Sequence, residues 1–182
     1  MAFSLSKFLV FFTILCASSF IAVLSTDEAS NLIQKTCENT QHYDLCVSSL
    51  ELDSSSAKSD AKGLALIMIN IAIANATETN SYIASQIKNI TNNTAMDRAM
   101  RVCNDKYAFA NNALRNSIVN LDNEEYDYAY MHVMAAGDYP SGCRSAFRRC
   151  PGLVYPTNMA VREEALKHIC DVVLGIVDSL GS

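Results

Sequence analysis

The chain has 182 residues, half of them hydrophobic, with 14 basic and 19 acidic side chains and a net charge of −5. That balance argues against a general nucleic-acid binder, which needs a basic surface, and permits a basic partner or a cationic surface. Only six glycines and three prolines occur, so long stretches run without helix breakers and the pattern predicts an all-α protein.

Residues 1–25 read as a signal peptide. MAFSLSK carries the single charge Lys7, an apolar run of about 17 residues follows, and Val23-Leu24-Ser25 offers a small residue for cleavage. Cleavage after Ser25 removes Lys7 and Cys16 and leaves a domain over 26–182 with net charge −6. A domain of that size buries a sizeable core, and nothing after the leader is apolar for long enough to span a bilayer.

A short helical hairpin is expected over about 28–50, closed by Cys37 and Cys46 in CENTQHYDLC. The polar stretch LDSSSAKSD links it to a long helix from about Ala57 to Ile90, whose centre is LALIMINIAIANA. Ile67, Ile69, Ile71 and Ile73 alternate as in a strand, but the length of breaker-free sequence after Gly63 decides for helix. The next helix carries Met96, Met100, Cys103, Tyr107, Ala110, Leu114, Ile118 and Leu121 in steps of three and four, one apolar stripe. Asn123 and the neighbouring acids open a third helix with Ala129, Val133 and Ala136; GDYPSG over 137–142 is expected to interrupt it, because Pro140 removes a backbone donor. Pro151, Gly152 and Pro156 make a loop. The last helix shows Met159, Leu166, Ile169, Val173, Ile176 and Leu180 at helical spacing, with Thr157 or Asn158 as N-cap and Gly181 past its end. Four long helices over about 57–180 make an up-down-up-down bundle behind the N-terminal hairpin.

Six cysteines remain after the leader, and an oxidising compartment makes disulfides the default reading. A turn near Leu121–Glu124 brings Cys103 and Cys143 almost level on antiparallel helices, the placement a staple needs. Cys150 precedes the last loop and Cys170 lies about a dozen residues into the last helix, roughly 18 Å along it. The two are therefore expected not to pair: Cys170 is a buried free thiol and Cys150 an exposed one able to link two molecules of an otherwise monomeric protein.

The chain offers no catalytic apparatus. His42, His132 and His168 sit in no HExxH or zinc-spaced cluster, and neither GxSxG nor a glycine-rich phosphate loop occurs. No catalytic, metal or cofactor residues are assigned, and no cofactor is expected. Glu163-Glu164 and the acids from Asp122 to Asp127 read as solvated helix faces and caps. Tyr126, Tyr128, Tyr130 and Tyr139 suit helix packing, with an exposed protein-binding set as the sharper reading, since tyrosine is enriched at interfaces. Asn75, Asn89 and Asn92 head glycosylation triplets.

The cysteine pattern, CENTQHYDLC, the LALIMINIA run and YMHVMAAGDYPSGC together resemble the plant invertase inhibitor and pectin methylesterase inhibitor family over essentially the whole mature chain. The resemblance implies a four-helix bundle behind a helical hairpin and disulfides Cys37–Cys46 and Cys103–Cys143. It also implies noncovalent 1:1 inhibition of a plant carbohydrate-active enzyme by covering its active-site cleft, in the apoplast or cell wall rather than the vacuole. Invertase inhibitors of the family carry Pro-Lys-Phe early in the third bundle helix; Tyr126-Asp127-Tyr128 stands there, which makes these three the candidate partner-binding residues. GDYPSG before Cys143 resembles the pollen-allergen-like subgroup of invertase inhibitors. The expected target is pectin methylesterase, with acid invertase (β-fructofuranosidase) as the alternative. A secreted carrier of small ligands and a secreted signalling bundle are the other classes; the closely spaced stripes favour a filled core over a hollow one.

Overall fold

The structure, a computed structural model, describes residues 28–91 and 94–181; the leader expected over 1–25 lies outside them. Two short helices, α1 (28–37) and α2 (Tyr43–Leu52), form the hairpin. A single 3₁₀ turn at Ser56–Lys58 leads to α3 (Ala61–Lys88), α4 (Thr94–Asp122), α5 (Tyr126–Arg148) and α6 (Thr157–Leu180). No strand occurs among the described residues. Each long helix packs on its two ring neighbours, α3 on α4 and α6, and α5 on α4 and α6. That is an up-down-up-down bundle, with α2 lying against α3 and α6.

The apolar stripes explain the ring. Leu64, Met68, Ala72, Ala76 and Ile83 of α3 are fully buried, as are Tyr107, Leu114 and Leu121 of α4, Val133 of α5, and Leu166, Val173 and Ile176 of α6. Each large aliphatic side chain buried this way contributes roughly 1.5–3 kcal/mol. Small residues (Ala72, Ala76, Ala129, Ala136) interleave with the large ones, so the helices approach closely and the core is filled.

Two disulfides tie the elements. Cys37 and Cys46 close the hairpin with Cα atoms 5.7 Å apart, and Cys103 and Cys143 join α4 to α5 with Cα atoms 4.4 Å apart. The hairpin rests on α6 at one point of very close approach. A Cβ on Gly175 would lie 2.8 Å from the Asn39 carbonyl oxygen and 2.9 Å from Thr40 Cα, so only glycine admits the hairpin backbone there.

Four local expectations are corrected. The long helix α3 begins at Ala61 rather than near Ala57, because Asp60 caps it: its carboxylate accepts from the Gly63 N–H at 2.7 Å. It ends at Lys88, not Ile90. Helix α6 begins at Thr157 after Pro156, with no side-chain cap from Thr157 or Asn158. Likewise α5 opens at Tyr126; Asn123 belongs to the preceding turn.

The fourth correction is the largest. GDYPSG does not interrupt the third bundle helix: α5 runs unbroken from Tyr126 to Arg148 with Pro140 inside it. An interior proline costs about 3 kcal/mol locally, and the packing of α5 on α4 and α6 offsets it. Pro140 is itself buried, and Cys143 anchors the next turn to α4. The flanking glycines serve close approach rather than a break. A Cβ on Gly142 would meet Lys106 Cε at 2.8 Å, and one on Gly137 would meet Cys170 Cβ at 3.2 Å.

Candidate functional site

The α4–α5 turn, the N-terminus of α5 and the C-terminus of α6 share one end of the bundle. The turn is short and heavily tied. Asn123 N–H donates to Val119 O, Glu124 N–H to Leu121 O and Glu125 N–H to Asn120 O at 2.8 Å, while Asn120 Nδ2 donates to the Glu125 carboxylate at 2.6 Å. Glu124 adopts a left-handed backbone, φ 61°, a sparsely populated conformation for a residue with a side chain. A turn held this way presents the first residues of α5 rigidly, and rigidity lowers the ordering cost of binding.

Tyr126 and Tyr128 diverge, as two helical residues two positions apart must. Tyr126 is half-buried over the end of α6; a Cβ on Gly181 would stand 3.3 Å from Tyr126 Cβ. Tyr128 is 60% exposed, and the outer face of α5 continues with Met131 at 57% and Met134 at 45%. Asp127 lies on that outer side, exposed. Between α5 and α6 runs an open groove of about 400 Å³ lined by Tyr126, Asp127, Tyr130, Met131, Val177, Asp178 and Gly181. A shallower hollow of about 250 Å³ adjoins it beside Glu124, Glu125 and Tyr128, with Tyr126, Asp127 and Gly181 common to both.

The surface therefore pairs exposed apolar side chains with a rim of carboxylates from Glu124, Glu125, Asp127 and Asp178. Apolar anchors inside a charged rim are the anatomy of a protein-binding patch. Met131 and Asp178 were not singled out from sequence, and Gly181 was named only as the residue past the last helix, not as part of a site. Met131 carried a signal, lying one helical turn from Tyr128 on the same face; Asp178 and Gly181 carried none, because they reach the site only through α5–α6 packing.

The remaining sequence-selected residues lie elsewhere. Cys37, Cys46, Cys103 and Cys143 form the two bridges. Cys150, expected to be exposed, is instead a half-buried free thiol just past the end of α5, while Cys170 is the expected buried one in α6. Burial, and next the Asp171 charge, push the Cys170 thiol up to about 12. Asn75 is half-buried within α3, Asn89 is the exposed C-cap of the same helix, and Asn92 falls outside the described residues.

The opposite end holds a structural cluster. Arg144 Nε donates to both carboxylate oxygens of Glu163, at 3.2 and 3.1 Å, joining α5 to α6, and its guanidinium stacks 5.0 Å over the Tyr155 ring. Tyr155 also meets Phe147 edge-on at 5.3 Å. Its hydroxyl faces Glu163 without closing a well-aligned hydrogen bond, and burial first, then that carboxylate, holds it well above the usual tyrosine range. Tyr107 is shifted the same way, chiefly by burial. These contacts hold the α5–α6 loop closed over the core. Among the described residues no three His, Cys, Asp or Glu side chains converge as a metal site, and no helix is long and apolar enough to cross a membrane.

Comparison with known proteins supplies the context for this surface. Residues 31–176 match the family described as plant invertase/pectin methylesterase inhibitor. The chain is 43% identical to the cell wall / vacuolar inhibitor of fructosidase 2 of Arabidopsis thaliana, over 99% of each chain. It is 37% identical to pectinesterase inhibitor 28 of Oryza sativa subsp. japonica, over 85% of this chain and 71% of that protein. The fold matches the crystal structure of a mutant form of a pectin methylesterase inhibitor from Arabidopsis with a TM-score of 0.65, at 23% identity, over 78% of this chain and 92% of that one.

Proposed function

The chain belongs to the plant invertase/pectin methylesterase inhibitor family and is an enzyme inhibitor rather than an enzyme, and we propose that its target is an acid invertase of the plant cell wall. The observation that carries this choice is the 43% identity, over 99% of both chains, to an inhibitor of fructosidase.

In this reading the inhibitor contributes no reactive group. The rigid α4–α5 turn and the first turns of α5 enter the target's cleft, with Tyr126, Asp127 and Tyr128 at the contact, and exclude the sugar substrate by 1:1 noncovalent binding. Tyr128, Met131 and Met134 supply apolar area. The surrounding carboxylates steer association with a basic surface, an effect that fades with salt. Secretion to the apoplast follows from the leader read over residues 1–25.

A second reading keeps pectin methylesterase as the target. Pro-Lys-Phe is absent at the start of α5, and the exposed stripe along that helix is long enough to lie across a polymer-binding cleft. Titration of the secreted protein against purified acid invertase and pectin methylesterase, side by side at mildly acidic pH, separates the two. Stoichiometric loss of invertase activity is expected; loss of methylesterase activity alone overturns the primary reading.

A further inference from the structure

Three Asn-X-Thr triplets stand in the chain at Asn75, Asn89 and Asn92, and the fold treats the two described ones oppositely. We propose that Asn89 carries an N-linked oligosaccharide in the secreted protein, and that Asn75 carries none.

Asn89 is the C-cap of α3, with backbone φ −91° and ψ −5°. Its N–H is spent on Gln86 O and Ile87 O, while its side chain is exposed and makes no hydrogen bond among the described residues. Thr91, the third residue of the triplet, is also exposed. An oligosaccharide here projects into solvent from the end of a helix and displaces no packing.

The Asn75 triplet lies partly in the bundle: Asn75 is half-buried and Ala76 buried, while Thr77 is exposed. Asn75 lies in mid-α3 on the edge that also carries Leu64, Met68 and Thr79, all fully buried. Its Oδ1 is sealed from solvent without a hydrogen-bond partner, so the side-chain amide is pressed against the packed side of α3. Thr77 is tied across the helix pair, its hydroxyl donating to Asn111 Oδ1 at 3.0 Å, and Asn111 Nδ2 donates in turn to Tyr107 O. A sugar added to Asn75 before folding would hold α3 away from its neighbours, so a chain that folds and leaves the cell carries Asn75 bare.

The chemistry is the transfer common to such sites. The side-chain amide nitrogen of Asn89 forms a C–N bond to the anomeric carbon of an oligosaccharide held on a polyisoprenyl diphosphate. The anomeric C–O bond breaks, and the amide proton leaves with the released lipid diphosphate.

The position also has a consequence for binding. Asn89 sits at the α3–α4 end of the bundle, whereas Tyr126–Tyr128 sit at the α4–α5 end. The 29 residues of α4 between them span about 43 Å. A sugar at Asn89 therefore leaves the candidate contact surface open.

The test is to secrete the full chain from a eukaryotic host and read the mass of the intact protein and of its peptides before and after amidase removal of N-glycans. Removal in heavy-oxygen water marks each formerly modified asparagine as aspartate. The expected result is a glycan on the Asn89 peptide and an unmodified Asn75 peptide. Asn89→Gln and, separately, Thr91→Ala should abolish that modification, while Asn75→Gln leaves the intact mass pattern unchanged apart from the substitution. An unmodified Asn89 in the secreted protein, or a glycan on Asn75, overturns the proposal. The mass readout is independent of the target enzyme, so it stands or falls apart from the inhibitory reading.

Discussion

The carbonyl oxygen of Asn39 lies 2.8 Å from where a Cβ on Gly175 would stand. The hairpin turn is thus seated on α6 backbone to backbone. Beside this contact the His42 and His168 rings lie 4.1 Å apart, and His42 Nε2 is 3.5 Å from Asp171.

Gly175→Ala is expected to lift the hairpin from α6. Overpacking of this kind typically costs about 1–3 kcal/mol. Thermal unfolding followed by circular dichroism should show a clear drop in Tm, larger than that of Gly181→Ala, whose added methyl meets only Tyr126 side-chain atoms at 3.3 Å or more. Equal melting of Gly175→Ala and the parent would mean the hairpin is not seated there.

Cys103→Ser removes the staple between α4 and α5. The loop it closes contains 40 intervening steps, and chain entropy assigns such a crosslink about 4 kcal/mol. At 2–4 °C per kcal/mol for a domain of this size, Tm should fall by roughly 10 °C. Inhibition should weaken through loss of order, and one new thiol should appear at Cys143 on denaturation.

Tyr128→Ala tests the contact surface. The side chain is mostly exposed, so stability should change little while target affinity falls by about 1–2 kcal/mol, or roughly 5–30-fold. Tyr126→Ala should cost stability as well, because Tyr126 packs over Gly181. Unchanged inhibition in both variants would move the interface to another helix.

The two free thiols should separate by reactivity. At pH 8 an alkylating reagent should label Cys150 in the native protein and spare Cys170, which burial holds protonated with its pKa pushed up to about 12. Denaturation without reduction should expose the second thiol. A denatured, unreduced monomer with no thiol would show that the two cysteines pair. The sign of the pH effect follows from linkage. The folded state keeps the Cys170 proton that the unfolded thiol loses above its ordinary value of 9.0, so its stabilising contribution is intact below pH 9 and is lost as pH rises toward 12. Urea midpoints measured across that window should fall, less steeply in Cys170→Ala.

What the sequence determined by itself was the set of helices and the face each one buries. The stripe from Met100 through Cys103, Tyr107 and Leu114 to Leu121 in α4, and that from Leu166 to Ile176 in α6, are written in steps of three and four and became the core. Periodicity is a property of one segment, however, and cannot say which segment meets which. The unbroken course of α5 through Gly137 and Pro140 ran against every local rule. It was decided by Cys143 bound to Cys103 and by the approach of Lys106 and Cys170 to two residues without side chains. The candidate site divides the same way. Tyr126, Asp127 and Tyr128 were candidates through the resemblance, as the residues standing where invertase inhibitors carry Pro-Lys-Phe, whereas Asp178 and Gly181, some fifty residues away in sequence, became part of the groove only when antiparallel packing brought the end of α6 beside the start of α5.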